Sequence, residues 1–503
     1  MNKRLWSVLL TLCLLFGMCA YSENASSGCW YEIFVYSYSD SDGDGTGDLR
    51  GVINKLDYIE YMGYEGIWLM PVMPSPSYHK YDVTDYMNVD PLYGTLDDMR
   101  SLVSECHERG IRVIIDLPVN HTSTRHKWFE LASTALKFGN PDNKYVSYYN
   151  FSKTAGAGYV RLQGTSWYYE EQFAGGGMPD LNLDNAEVRS EIQRILEFWL
   201  CDVDVDGFRL DAVTSYYSTL EGDVEFLAWL NAESEALKPG CYIVGEAWTS
   251  LSQIQKYYES GIDSFFLFPA SQAEGYIVSA INSKSPGQKY MNYLLTTEST
   301  LKKGIIAPFL CNHDTGRAIG LLQARSNPAK AKFGEALLNL FPGYTFTYYG
   351  DEIGMAGSGA DPNKRIGMYW TDGEVTLPPP GADQLDYPYP CVYEQIANED
   401  SLLNYCRAIN LLKAEFPVIS AGRTRELLTE KAYCVFERFT NDASVVIAIN
   451  FSSSGIAQAM LCGEYALAGE LETGSEAVAV SVIDGTTGIT LPPYAVAVLV
   501  PVN

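Results

Sequence analysis

Four short acidic segments, each closing an apolar run, constrain this chain more than anything else in its 503 residues. They are Asp116-Leu-Pro-Val-Asn-His121, Gly207-Phe-Arg-Leu-Asp211, Val244-Gly-Glu-Ala-Trp248 and Phe309-Leu-Cys-Asn-His-Asp314. The runs leading into them (residues 111–115, 203–210, 242–244 and 305–310) are rich in apolar and β-branched side chains. Such runs read as buried parallel strands. A closed barrel of alternating strands and helices gathers the C-terminal ends of its strands at one mouth, and its catalytic groups with them. Carboxylates from three strand ends would meet there, an arrangement suited to glycoside chemistry.

The rest of the chain supplies the strands such a barrel needs. Residues 33–38 read as a strand, 50–62 as a helix, 66–71 as a strand and 96–109 as a helix, ahead of the strand ending at Asp116. The alternation stops between about 122 and 183, a stretch rich in Tyr, Trp, Gly and Lys that ends near Gly175-Gly-Gly177. It resumes with helices at 187–200 and 224–237 and with strands ending at Asp211, Glu246, Phe268 and Cys311; residues 345–349 make the eighth strand. This predicts an α/β chain: a (β/α)8 TIM barrel over 28–121 and 185–415, with a small domain of 122–184 inserted after the third strand. A long Pro/Gly-rich loop, 356–393, precedes a helix at 401–413. From 416 to 503 the short alternating runs 433–438, 444–449 and 495–500 predict a C-terminal β-sandwich.

Residues 1–20 differ from the rest. Asn2-Lys3-Arg4 leads into the apolar run 5–18, then Cys19 and Ala20, the pattern of a secretory signal peptide. The run is short for a membrane span. Two readings stand: release after cleavage, or lipid attachment at Cys19, the single link to a membrane this sequence offers. Either makes the protein secreted or cell-surface. The charge, 35 basic against 62 acidic residues or −27, argues against nucleic acid or an anionic membrane as partner and fits a neutral substrate. Eleven cysteines show no CxxC pair or Cys/His cluster, so buried free thiols are expected rather than zinc. The chain is expected to be a monomer.

Arg209 and Asp211 lie two apart on a strand, so their side chains share a side. A neighbouring cation favours an ionised carboxylate, as a nucleophile requires. Glu246, beside Trp248 and an apolar strand, is placed for desolvation and a general-acid role. His121 and His313 could donate to sugar hydroxyls as neutral imidazoles. Separately, Asp40-Ser-Asp42-Gly-Asp44-Gly-Thr-Gly-Asp48 sets alternate carboxylates on a glycine-rich loop, hard oxygen ligands of the kind calcium takes. An EF-hand would need a bidentate Glu where Gly51 stands and a helix before the loop, so a structural calcium site between a strand and a helix is the reading.

Together these segments resemble the signature regions of the α-amylase family, glycoside hydrolase family 13, over nearly the whole mature chain. The resemblance implies Asp211 as nucleophile, Glu246 as acid/base and Asp314 as stabiliser of an oxocarbenium-like transition state. It implies that Arg209, His121, His313 and Arg317 bind substrate, with Tyr81 stacking on a sugar ring and His79 beside it. It also implies calcium held by Asp40, Asp42, Asp44, Asp48 and the Thr46 carbonyl. Met178-Pro-Asp-Leu-Asn182 is similar to the group intermediate between oligo-1,6-glucosidases and neopullulanases, and Ala212 is similar to α-1,4-acting members. Thr214-Ser215 departs from a Lys-His pair of many α-amylases, and Lys80 from a frequent glycine.

What the resemblance implies is a retaining α-amylase acting on internal α-1,4 bonds of an α-glucan. A neopullulanase, cyclomaltodextrinase, α-glucosidase or transglucosylase of the same family is the alternative within enzymes. A non-catalytic glucan-binding surface protein is the alternative outside them, against which the intact set Asp211, Glu246 and Asp314 argues.

Overall fold

A computed structural model describes residues 26–173, 175–474 and 476–502. The signal peptide expected at 1–20, with Cys19, lies outside the described residues. Strands β1 (Cys29–Ile33), β2 (Gly66–Leu69) and β3 (Arg112–Leu117) come first. Three short strands follow in the insertion, β4 (Phe151–Ser152), β5 (Tyr159–Arg161) and β6 (Tyr168–Glu170). Then come β7 (Gly207–Leu210), β8 (Tyr242–Gly245), β9 (Ser264–Phe266), β10 (Ile305–Ala307) and β11 (Thr345–Tyr348). Eight of these form one parallel sheet in which β3 pairs with β7 and β1 with β11. The seam between β10 and β11 is joined by a parallel bridge, Phe309 to Phe346, and by the Tyr344 and Phe346 N–H groups donating to Ile306 and Pro308 carbonyls at 2.8 and 3.0 Å. The ring is an α/β barrel.

Period-two alternation explains how this ring builds a polar floor for a site. Trp30, Trp68, Ile114, Val244, Phe266 and Phe346 pack into one buried cluster. Two residues further along their strands, on the same face, stand Glu32, Asp116 and Glu246. Apolar layers therefore fill the barrel below, and carboxyls occupy the layer above. Gly207 is needed where β7 meets β8: its φ is +148°, and a Cβ there would lie 1.8 Å from the Tyr242 carbonyl oxygen.

Several expected elements are shorter or different. The run 33–38 is not one strand: β1 ends at Ile33, and Val35–Tyr38 turn into a short helix with Val35, Ser37 and Tyr38 buried. Its β-branched and aromatic residues favour a strand, but tertiary burial decides. The helix expected at 50–62 is two, Leu49–Ile53 and Leu56–Tyr61. β10 stops at Ala307 because Pro308, next in line, has no N–H for the ladder.

In the insertion β4, β6 and β5 pair antiparallel, a bridge from Tyr149 to Leu181 closes it on itself, and one from His121 to Asp180 ties it back to the barrel mouth. The C-terminal part is two antiparallel sheets. One runs β12 (Arg423–Thr429), β13 (Tyr433–Phe439), β14 (Ser444–Asn450), β19 (Val496–Pro501), β16 (Tyr465–Leu471). The other runs β15 (Ala457–Cys462), β18 (Thr486–Leu491), β17 (Ala479–Ile483). Val435, Val446, Leu461, Ile489 and Leu499 pack between them. Arg438, fully buried, joins this part to the barrel by pairing with Glu298 of the helix Pro286–Thr300. The nine described cysteines are free thiols, all buried except Cys201 and Cys462.

Candidate active site

At the barrel mouth two of the three expected carboxylates, Asp211 and Glu246, meet one cation together with Asp116, and the third, Asp314, is held by His313 and Arg365. Arg209, on the inner face of β7, is fully buried. Its Nη1 donates to Asp116 on β3 at 2.9 and 3.0 Å and to Asp211 at 2.7 Å, while Nη2 meets Glu246 at 3.0 Å. A buried guanidinium is costly unless paired and hydrogen-bonded, and here three strand ends supply the partners. Burial opposes its charge, yet Asp116 and Glu246 hold its pKa well above the ordinary value.

Two of these carboxyls are tuned upward. Burial pushes Glu246 up to about 7, with Arg209 opposing and Asp211 and Asp314 adding to the rise. Burial likewise pushes Asp116 up to about 7 against Arg209. Glu246 also accepts the Ala212 N–H at 2.9 Å. That bond depends on backbone geometry, since Ala212 is left-handed (φ 46°, ψ 42°), a costly conformation for a residue with a Cβ. The strain directly follows Asp211 and links the Asp211 strand end to the Glu246 carboxyl. Trp248 does not cause the desolvation: it is half exposed and stacks on Phe268 at 4.6 Å. The burial of Glu246 itself is the cause.

Asp314 has the opposite environment. His313 Nε2 lies 3.1 Å from it, and Arg365 Nη2 donates at 2.9 Å. Against the desolvation of its burial, these two cations hold its carboxyl well below the usual range. His313 in turn sits between Asp314 and Glu32, whose oxygen is 2.6 Å from Nδ1. Burial disfavours its charge, but the two carboxylates push its pKa up to about 9. This setting, unlike the neutral imidazole expected from sequence, favours the protonated form of His313. At His121 burial lowers the pKa and the neutral form stands.

Tyr81 closes the ring of contacts. Its hydroxyl donates to Asp116 at 2.9 Å, lies 2.7 Å from His313 Nε2, and its ring stacks on His313. His79 stacks beside it at 6.1 Å, and His121 Nε2 lies 3.2 Å from the Tyr81 carbonyl. Lys80 turns away: it occupies the left-handed region (φ 66°) where glycine would be at ease, and its ammonium is buried on Asp90 at 2.7 Å. Arg317, expected to bind substrate, is not brought into this cluster. Its fully buried guanidinium donates to the Lys364 carbonyl at 3.0 Å, to the Tyr349 carbonyl, and to Asp351 at 3.3 Å. By fixing Lys364 it positions Arg365, the arginine that meets Asp314.

Glu32, Asp116 and Arg365 were not among the predicted site residues. Glu32 is the one charged residue of a wholly buried strand, Cys-Trp-Tyr-Glu-Ile, and that was a usable signal. Asp116 opens the first acidic segment, whose expected site residue was His121 at its other end. Arg365 lies in a loop with no periodicity to mark it.

The acidic loop lies apart from this cluster. Carboxylate oxygens of Asp40, Asp42 and Asp48 all fall within 4.8 Å of one another. None of the four loop aspartates forms an ion pair among the described residues, so the charge there lacks a protein counter-ion. Three converging hard oxygens fit a metal ion. Asp40 also accepts the Asp42, Gly43 and Gly45 N–H groups at 3.0, 2.7 and 2.8 Å, which fixes the loop around the cluster. Asp44 stands outside the three.

Chemically, the mouth holds one carboxyl poised to exchange a proton near neutrality, one held ionised, and a third bound to a permanent cation. That combination suits acid/base and nucleophilic work at an acetal carbon. Comparison with known proteins agrees. The family profile described as "Alpha amylase, catalytic domain" matches residues 32–405. The chain is similar to "Alpha-amylase 3" of Dictyoglomus thermophilum, 39% identical over 346 residues, covering 68% of this chain and 67% of that one. It is similar to the trehalose synthase/amylase TreS of Mycolicibacterium smegmatis, 31% identical over 468 residues, covering 79% and 77%. Among solved structures it is similar to Eubacterium rectale Amy13B, with a TM-score of 0.89 and 40% identity over 95% of this chain and 97% of that one. The α-amylase from H. orenii matches with a TM-score of 0.83 and 32% identity over 94% and 99%.

Proposed function

Because the chain belongs to the α-amylase family of glycoside hydrolases, we propose that it is a secreted, retaining α-amylase cleaving internal α-1,4 bonds of starch, glycogen or maltodextrins. The carrying observation is the split environment of the carboxyls at the barrel mouth: Glu246 pushed up to about 7, Asp211 paired with Arg209 at 2.7 Å, and Asp314 held low by His313 and Arg365. Glu246 gives its proton to the glycosidic oxygen as Asp211 attacks the anomeric carbon, and the leaving chain departs as an alcohol. Glu246, now a carboxylate, takes a proton from water, which displaces Asp211 and releases product with retained configuration. Asp314 lies beside the developing positive charge of the oxocarbenium-like transition state. Tyr81 offers an aromatic face to the same sugar, with His79 and His121 flanking it.

Endo action on α-1,4 bonds is favoured by Ala212 and by the amylase names of the similar proteins at 39% and 32% identity. Following starch digestion by NMR is the test of stereochemistry; an initial β-anomer would overturn retention. On maltoheptaose, cyclodextrin and pullulan, a mixed maltooligosaccharide profile from the linear chain is expected first. Glucose alone from the start, or preferred cyclodextrin cleavage, would move the protein to another branch. Export is read from residues 1–20; intact mass of the secreted protein checks cleavage, and recovery in the membrane fraction with lipid on Cys19 would mean anchoring instead.

Calcium is the cation we assign to Asp40, Asp42 and Asp48, with Asp44 and the Thr46 carbonyl as further ligands. Bound there, it supplies charge neutralisation and stiffness rather than chemistry. The long loop rests on this one: Leu377 N–H donates to the Gly45 carbonyl at 2.7 Å, and the same long loop carries Arg365 to Asp314. Calcium should raise Tm over the chelated protein by roughly 3 °C, as for a ligand at a hundredfold its Kd adding about 2.7 kcal/mol to a chain of this size. Asp42→Ala should remove the response. Identical melting with EGTA and with calcium would refute the site.

A further inference from the structure

The smaller C-terminal sheet ends on a strand that, among the described residues, is laddered on one side only. Among the described residues β17 pairs with β18 alone, at the end of the order β15-β18-β17, so its other edge has no ladder partner. It is also exposed: Ala479, Ser481, Val482 and Ile483 all face solvent, Ile483 at 68%. Exposed edges of this kind are usually blunted by charge, proline or a bulge, because unpaired N–H and C=O groups template pairing with another strand. β17 carries none of these. Its sequence is Ala-Val-Ser-Val-Ile, and its register with β18 runs unbroken from Ala479 to Ile483.

Charge identifies what can sit on it. The chain carries −27 overall, so two copies repel over most of their surfaces. The three strands of this sheet, Ala-Gln-Ala-Met-Leu-Cys, Ala-Val-Ser-Val-Ile and Thr-Thr-Gly-Ile-Thr-Leu, contain no charged side chain. A cationic partner would find its attraction elsewhere on this surface; a second copy finds here a place to approach without repulsion. The strand is also close to palindromic about Ser481, so antiparallel pairing sets Val480 against Val482 and Ser481 against itself. That is the self-complementarity a two-fold interface requires. On the outer face, Met460 Sδ and the Ser481 hydroxyl both flank Gly488, and Met460 is 65% exposed. Apolar surface is thus available on either side of the new seam.

We propose that β17 is a homodimerisation edge, pairing antiparallel with β17 of a second copy about Ser481 and joining two three-stranded sheets into one of six. The dimer would replace the monomer expected from sequence and would leave both barrel mouths to work separately.

Light scattering after size exclusion, over a wide concentration range with the full mature chain, is the first measurement. A mass rising from one chain to two is expected. Ser481→Glu, at an exposed position, sets two carboxylates face to face across the axis and should return the mass to one chain, with starch activity per chain unchanged and melting equal to that of the wild type at dilutions where the wild type is a monomer. In a Cys201→Ser, Cys462→Ser background, Ser481→Cys should crosslink to a covalent dimer on mild oxidation, whereas Thr490→Cys, one strand inward on the same face, should not. A single-chain mass at every concentration, or a dimer that Ser481→Glu leaves intact and Ser481→Cys fails to crosslink, would overturn the assignment.

Discussion

Glu246→Gln is expected to lower kcat on starch by about a thousandfold, within the range for losing a general acid, while leaving the fold intact. Gln keeps the shape and can still accept the Ala212 N–H that Glu246 accepts at 2.9 Å. The diagnostic comparison is a substrate whose leaving group needs no proton. With α-maltosyl fluoride the first step should fall far less than with starch, because Asp211 and Asp314 remain. The pH profile carries the same prediction. Glu246 must be protonated in the free enzyme, and burial pushes its pKa up to about 7, so kcat/KM should decline on the alkaline side from about that pH. Glu246→Gln acting on the fluoride should lack that limb. Equal losses on both substrates, or unchanged starch activity, would remove Glu246 from the acid role.

How far the sequence could go is visible residue by residue. Strand ends were readable because a carboxylate closing an apolar run is a local signal, and Asp211, Glu246 and Asp314 all stand at one mouth. The pairing of Arg209 with Asp211 followed from period two alone. The number of partners Arg209 takes did not, since Asp116 comes from a strand 93 residues away in the chain. Charge states were the weakest part. His121 and His313 look alike in sequence, each after an Asn, yet burial outweighs the pull of Asp211 on the first, while Glu32 and Asp314 flank the second and outweigh its burial. Arg317 and Arg365 show the same limit. A loop without periodicity decides which of them meets Asp314, and only the folded chain shows that Arg317 holds the backbone from which Arg365 reaches it.

Arg209→Met is expected to be the most damaging single change to stability at the mouth, by about 3–5 kcal/mol, the cost of leaving buried charge without its partner. Its sign with pH distinguishes this cause from lost packing. Asp116 and Glu246 both reach about 7 even with Arg209 drawing them down. Without it their folded pKa values rise further above those of the unfolded chain, near 4. A carboxyl raised on folding stabilises fully below its unfolded pKa and loses that contribution as pH climbs through its folded one. The deficit of Arg209→Met should therefore be small near pH 4 to 5 and grow through pH 8. Adding Asp116→Asn should recover part of the stability at pH 8, because one of the stranded carboxyls is gone, yet recover no activity. A deficit that is flat with pH, or two substitutions whose effects simply add, would mean that Arg209 serves the barrel by filling space and not by holding three carboxyls at one point.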